Sequence, residues 1–550
     1  MALILSLSWL PNASAQCVPV LNGSDCGTVN TYGSTGSYCG PFTLPDCPPG
    51  MYCSYNGSNY RCLCAGSSCT LIPGNCIYSR GVDNCGNSCT EQGTVCTNNE
   101  YCSYNGNNYV CLCPVGTDCN TTPPNSAQSL ISFTNKSLTA DPVDIFSGEA
   151  YFSSTDFSFE GRGPKLTLSR RFRSFSTFSG MFGYGWRTDF DLNLSQDGHG
   201  NVSIYDGDGV AIYFMNNSGT YVASPGNYST ITKNADNTYT VTDKNGLITH
   251  YDLTGRLTSR TDRNGNALTF VYSPTQSGGT YIQDASGRKI TLNFDLNGHI
   301  ISAVDPAGKI FQYGYDTNGN LTSVTDPTGA VTNYIYDSIL IHQIKQFTNA
   351  NGHNTYYQYD EQGRCEMNWR DGNVNKTTLN YEANNTTVVT DSLGNSNTYV
   401  FNSTGLLLSH TDPLGKVTQQ TWDSNMNRTS ITDARNNTTT FLFNPQGNLL
   451  VITDPLNNKT TMTYTTDFNL LNSKIDALNN FTFYYFDTKG NLITITDSLM
   501  NVHSFVYDQY GEVITATDSR GNATHFTYDA FGHVIQKTDV LGNSTNFTYE

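Results

Sequence analysis

Cysteine and aspartate are the two residue types in this 550-residue chain whose numbers and spacing could do chemistry. Of 17 cysteines, 16 lie between Cys17 and Cys119. They form two matching sets. The first is Cys17, Cys26, Cys39, Cys47, Cys53, Cys62, Cys64 and Cys69; the second is Cys76, Cys85, Cys89, Cys96, Cys102, Cys111, Cys113 and Cys119. The phrase Tyr52-Cys53-Ser54-Tyr55-Asn56-Gly57 recurs as Tyr101-Cys102-Ser103-Tyr104-Asn105-Gly106, and Cys-Leu-Cys recurs at Cys62 and Cys111, which aligns the sets. Thiols at this density either pair with one another or hold a metal. Zinc sites draw on Cys-x-x-Cys pairs and histidines, but this segment has no such pair and the first histidine of the chain is His199. An even count in units too short to bury a core reads as a disulfide framework formed in an oxidising compartment. The pairing within each unit stays open. Cys365 stands apart, inside a strand pattern, and reads as a buried free thiol.

Aspartate recurs in Asp-x-Asn-Gly phrases at Asp243, Asp262, Asp295 and Asp316, with a similar run at Asp206-Gly207-Asp208-Gly209. Calcium loops use such residues but need further acidic ligands and a closing glutamate. None follows at that spacing, and Asn-Gly is the usual signal of a type I′ hairpin turn. Paired carboxylates could hydrolyse a glycosidic bond, yet catalysis needs one unusual place and these aspartates occupy the same place in every unit. The chain has no Gly-x-Ser-x-Gly, His-Glu-x-x-His or Gly-x-Gly-x-x-Gly phrase. His299 and His533 sit beside turn glycines and read as solvated or satisfied. Arg170, Arg171 and Arg173 form the one basic cluster; alternation puts Arg171 and Arg173 on one face, where pairing with Asp or Glu is expected. No catalytic residue, cofactor or metal is expected.

The elements that carry these residues announce themselves by period. Aspartates of Thr-Asp phrases fall at Asp391, Asp412, Asp433, Asp454, Asp476, Asp497, Asp518 and Asp539, at intervals of 21 with a single 22. A unit this short holds a β-hairpin, and repeats of it bury their apolar side against their neighbours. In the unit from Tyr528 to Tyr549, Asp529 to His533 is one turn, Val534 to Thr538 a strand, Asp539 to Asn543 a second turn, and Thr545, Phe547 and Tyr549 alternate along the next strand. Asparagine replaces the second-turn glycine at Asn436, Asn457 and Asn479, as a fixed positive φ requires. Stacking the units predicts a ladder of corner rings at roughly 0.5–1.5 kcal/mol per pair beyond burial.

Composition agrees. Charged residues are 14% and aromatics 12%, with 35 Tyr, a balance that favours strands over helices. Acidic residues number 46 against 29 basic ones, which argues against nucleic acid and against a polybasic membrane contact. Residues 1–15 read as a signal peptide, with an apolar run from Ala2 to Leu10 and a small-residue cleavage site at Ala13-Ser14-Ala15. No later run is apolar enough to span a bilayer. Asn-x-Ser/Thr phrases, as at Asn375, Asn402 and Asn543, are glycan acceptors in a eukaryotic secretory path or a product of composition.

Phrases such as Tyr528-Asp529-Ala530-Phe531-Gly532 and Thr411-Asp412-Pro413-Leu414-Gly415 resemble the YD repeat of RHS proteins. Upstream, Asp141-Pro142-Val143-Asp144, Gly148-Glu149, Asp156, Gly161-Arg162-Gly163, Arg170-Arg171 and Gly183-Tyr184-Gly185-Trp186 resemble the domain that heads many RHS cores. The resemblance implies an all-β fold in which hairpins wind as one spiralling sheet into part of a hollow shell. It implies a scaffold that encloses a toxin domain supplied downstream of Glu550, since the family's C-terminal core motif and effector are not found in this sequence. The expected organisation is a signal peptide at 1–15, disulfide modules at 16–119 (17–69 and 76–119), a linker at 120–130, an RHS-core N-terminal domain at 136–215, divergent repeats at 216–300 and YD repeats at 301–550. The expected location is secreted or cell-surface, with no nucleic-acid partner. The alternative is an adhesion or carbohydrate-binding surface protein, with a glycan or protein partner.

Overall fold

The computed structural model describes residues 137–205, 211–272 and 280–549, together with the backbone of eight short strands before residue 113. The side chains of the cysteine sets, the signal segment, the linker and the Asp206 to Gly209 run lie outside the described residues. Residues Met1–Pro124 and Asn125–Glu550 form two separate units. In the first, the duplicated phrase makes the same hairpin twice, Met51–Tyr55 with Tyr60–Cys64 and Tyr101–Tyr104 with Tyr109–Leu112.

The second unit is all-β. Its main element is one antiparallel sheet of 31 strands in strict sequence order, from Thr230–Lys233 to Ser544–Asn546. Each strand is four to nine residues long, apart from the last, and pairs only with its sequence neighbours, as a hairpin array must. Thr, Val, Ile, Tyr and Phe fill the strands because branched and aromatic side chains pack on a pleated surface.

The aspartate turns hold this register. Asp539 Oδ1 accepts the amides of Leu541 and Asn543 at 2.9 and 2.8 Å, and Oδ2 accepts Asn543 Nδ2 at 2.9 Å. Behind it, the Gly542 amide donates to the Asp539 carbonyl at 3.0 Å. These are three-residue loops, with one left-handed residue closing a type I turn. The expected type I′ geometry is not found: at Asp243, Asp262, Asp295 and Asp316 the glycine has positive φ but the asparagine before it does not. The aspartate carboxylate holds the amide two residues on, which sets that asparagine in ordinary backbone. The substitution rule holds, with φ of 63°, 65° and 63° at Asn436, Asn457 and Asn479. Met426 and Met500 also take this position, at 63° and 65°.

Consecutive corner aromatics do not form the expected ring ladder among the described residues. They stand two strands apart, about 9.5 Å, beyond ring contact. The corner group works through its polar end instead. The hydroxyls of Tyr315, Tyr336, Tyr359, Tyr464, Tyr507 and Tyr528 each donate to the carbonyl 15 residues earlier, at 2.7–2.9 Å. Trp422 does the same with its indole nitrogen, to Leu407 at 2.8 Å.

A long sheet of this kind coils. Turns between residues 228 and 288 touch turns between 425 and 531: Tyr228 meets Asn427, Lys244 meets Gly447, Asn264 meets Asn491 and Asn266 meets Tyr510, at sequence separations from 199 to 244. The sheet has two edges, one of Thr-Asp turns and one of corner turns. In all but the first of these pairs, a Thr-Asp turn of the first coil meets a corner turn of the second. One coil therefore spans about twenty strands, or about 100 Å of sheet.

A small head precedes the sheet. Tyr151–Phe159, Leu166–Arg173 and Trp186–Arg187 pair into three strands, and Asn193–Gln196 to Thr220–Ala223 form a four-stranded meander. Its rings reach widely separated strands: Phe190 on Phe270, Phe157 on Phe311, Trp186 on Tyr334, Phe152 on Tyr357 and Phe146 on Phe401, with centroids 5.0–5.3 Å apart. A head of this size is about 30 Å across, whereas those strands laid flat would cover about 60 Å. The sheet therefore wraps the head, and the face they share is concave.

Candidate functional site

Among the described residues, the three clustered arginines and the two turn histidines have defined partners, while the side chains of the 16 cysteines in the two sets lie outside them. Strand Leu166–Arg173 alternates strictly, so Leu166, Leu168, Arg170 and Phe172 are buried while Arg171 and Arg173 turn the other way. Arg170 Nε reaches both oxygens of Asp156 at 3.1 and 3.0 Å, and its Nη1 donates to Tyr334 at 2.7 Å. Both partners of this ion pair are almost fully buried. Tyr313 donates to the same carboxylate at 2.8 Å. Burial alone would lower the Arg170 pKa, but Tyr334 and Asp156 more than offset it and hold it above the ordinary value. Arg173 pairs with Glu149 at 2.6 Å and Arg171 with Asp189 at 3.2 Å. All three arginines thus carry the carboxylate partners expected of them. Arg170 fastens the head to the sheet through Tyr334, Arg171 shares Asp189 with Arg260 of the sheet, and Arg173 braces the head internally.

Other candidates resolve into structure. Asp191 is buried and its pKa is pushed up to about 6 by desolvation, against amide bonds from Thr188 and Met181. Cys365 is a buried free thiol, with its pKa pushed up to about 12 by burial. His299 and His533 lie 3.4 and 3.0 Å from the aspartates of their own turns. Among the described residues, no group of three or more His, Cys, Asp or Glu is arranged to hold a metal ion. A cavity of about 700 Å³ lies between head and sheet, beside Tyr151, Arg170, His353 and Asp371. Its charged groups are already engaged: Asp371 accepts Asn354 and Tyr356, and Arg370 pairs with Asp141 at 2.7 Å.

Of two further features, one left no trace in the sequence and the other was legible only in part. One is the seam where the second coil meets the first coil and the head. Arg162 Nε donates to Glu512 at 3.0 Å, its Nη2 donates to the Asp529 carbonyl at 3.1 Å, and its guanidinium lies 3.9 Å from the centre of the Tyr510 ring. Arg263 and Arg288 lie over Phe468 and Phe531. The other is an inward row two residues before each corner aromatic. Tyr313, Tyr334 and Tyr357 in this row are buried, at 4–6% exposure, because the head covers them. Past the head the row continues as Phe441, Met462, Tyr484, Phe505 and Phe526, all only partly buried. Period-2 alternation was the available signal for this row; the seam left none.

Family models match three stretches of the chain. Residues 140–214 match a domain of unknown function, DUF6531; residues 294–331 and 315–338 match the RHS repeat; residues 418–550 match the teneurin YD-shell. Among curated proteins, the tRNA3(Ser)-specific nuclease WapA of Bacillus spizizenii is 30% identical over 128 residues, and the tRNA nuclease WapA of Bacillus subtilis is 29% identical over 128 residues. Each match covers 23% of this chain and 5% of the relative, so the chain spans about a twentieth of their length. The crystal structure of TcdB2-TccC3-TEV aligns with 71% of this chain and 27% of that one, at 13% identity and a TM-score of 0.36. That of TcdB2-TccC3 aligns at 13% identity and a TM-score of 0.32, covering 72% of this chain and 28% of the other. With one model on the head, a second on the early hairpins and a third on the second coil, the chain is an RHS/YD-repeat protein.

Proposed function

We propose that this chain is the wall of an exported or surface-displayed shell that encloses an effector polypeptide, and that its own residues carry no catalysis. The observation behind this reading is the inward row. Its side chains are buried wherever the head plugs the first coil, and beyond the head Phe441 to Phe526 line a concave wall that no part of the head covers, with Arg428 of the adjacent strand over Phe441. A partly exposed, largely aromatic row facing inward fits an apolar, incompletely folded guest. The nuclease names of the Bacillus relatives, which match this chain over 5% of their length, support a toxin-bearing system. Residues 1–15 would direct export, and the 16 cysteines would then oxidise to disulfides in two rigid modules.

A photoreactive phenylalanine analogue at position 505 or 526 tests the enclosure in the protein as its source organism makes it. The expected product is a cross-link to a polypeptide with no YD repeats, protected from protease until the shell is denatured. Cross-links confined to the wall itself, with no protected guest, would overturn the reading. Fractionation of the same culture checks export, which predicts the chain in the medium or on the cell surface.

A further inference from the structure

The phrase shared by the two cysteine sets folds as the same hairpin in each. Met51–Tyr55 pairs with Tyr60–Cys64, and Tyr101–Tyr104 pairs with Tyr109–Leu112, each as a sheet of two strands. In the first hairpin Cys53 stands directly opposite Cys62; in the second, Cys102 stands directly opposite Cys111. A two-stranded ribbon is marginal in water unless a third strand or a helix packs on it. Neither hairpin has a third strand among the described residues. Something else must hold its strands together, and a cysteine pair occupies the same rung of both ladders.

We propose that Cys53–Cys62 and Cys102–Cys111 are cross-strand disulfides, one in each module. Opposed Cα atoms of an antiparallel ladder stand about 4.5–5.5 Å apart. A disulfide joins Cα atoms about 4.4–6.8 Å apart, so the rung is within bonding reach. The register also separates the two thiols of each Cys-Leu-Cys phrase. Cys64 stands opposite Met51, which puts its Cα on the diagonal from Cys53, about 7–8 Å away and outside that range. Cys113 lies past the end of its strand. Cys64 and Cys113 therefore bond outside the hairpin and tie it to the rest of its module. The cross-strand bond forms by exchange: one thiolate attacks a disulfide oxidant, and the facing thiolate then displaces the mixed disulfide. Two protein thiols become one disulfide, and the oxidant leaves as two thiols. The pairing rests on the export reading for its oxidising compartment and uses no property of the wall or its guest.

Peptide mapping of the chain made by its source organism tests the pairing. Free thiols are alkylated without reduction, and the protein is cut by trypsin after Arg61 and by chymotrypsin after Tyr104 and Tyr109. The expected products are peptides joined through Cys53 and Cys62, and through Cys102 and Cys111, which separate on reduction. In Cys53→Ser, Cys62 should become the one newly alkylated thiol; with Cys62→Ser added, no new thiol should appear. Cys53 or Cys102 joined to any other cysteine, or alkylated in chain recovered from the medium, overturns the pairing and leaves export standing. Chain found only inside the cell with these cysteines alkylated overturns both.

Discussion

Gly532 and Gly542 occupy the two turns of one hairpin unit, with φ of +86° and +82°. Read as sequence they are equivalent, and Gly532→Asn is expected to cost less than Gly532→Val because asparagine tolerates left-handed backbone. The coil separates them. A Cβ at position 542 meets nothing within 4 Å, while one at 532 comes within 2.7 Å of Glu512 Oε1 and 3.2 Å of Arg162 Cγ. Gly542→Ala therefore carries only the backbone cost, about 1–2 kcal/mol. Gly532→Ala carries that cost and also displaces Arg162 from Glu512, adding about 1.5–3 kcal/mol for a charged hydrogen bond. Asparagine at 532 meets the same obstruction, so its expected mildness does not survive at this turn. Repeat arrays do not melt as one unit, so the informative assay is hydrogen exchange at individual amides, supported by thermal melts. Gly532→Ala should lower protection in its own turn and also in the loop around Arg162. Gly542→Ala should act only in its own hairpin. In an Arg162→Ala background the excess cost of Gly532→Ala should shrink. Equal and strictly local effects of the two substitutions would refute the seam.

Three further outcomes are expected. Arg170→Met leaves Asp156 charged in a buried site and should cost about 3–5 kcal/mol, read by denaturation followed at Trp186; adding Asp156→Leu should recover most of it. Met500 holds positive φ with its side chain 70% exposed, so Met500→Gly should raise stability by about 1 kcal/mol, and an unchanged or lower melt contradicts the strain. Asp391, Asp433, Asp454, Asp476, Asp497, Asp518 and Asp539 have pKa values lowered first by the side-chain amide four residues on. The stability they supply is present above the unfolded carboxylate value, about 3.9, and is lost as pH falls through the depressed folded values. Asp476→Asn should therefore lower the melt at pH 7 and converge with the parent protein in strong acid; a constant difference across the range would contradict this.

How far the sequence reaches depends on the range of the interaction. Asp539 and Gly542 act within five residues, so their turn could be read directly, as could the replacement of glycine by Asn436, Asn457 and Asn479. The choice between two- and three-residue loops was missed because Asn-Gly suits both, and the aspartate side chain decides. Arg170, Arg171 and Arg173 had a readable alternation, but Asp156 and Glu149 as partners needed the folded head. The corner tyrosines were expected to stack; strand spacing forbids that, and their hydroxyls find carbonyls instead. Arg162 with Glu512 is separated by 350 residues and leaves no local trace.

The sheet coils until its two edges touch. A photoreactive phenylalanine analogue at Asn264, followed by irradiation of dilute protein and peptide mapping, examines that contact directly. Cross-links within one molecule to the turns around Asn491 and Tyr510 are the predicted product. Cross-links to neighbouring hairpins alone, with none reaching the second coil, would mean an open ribbon and contradict the coil.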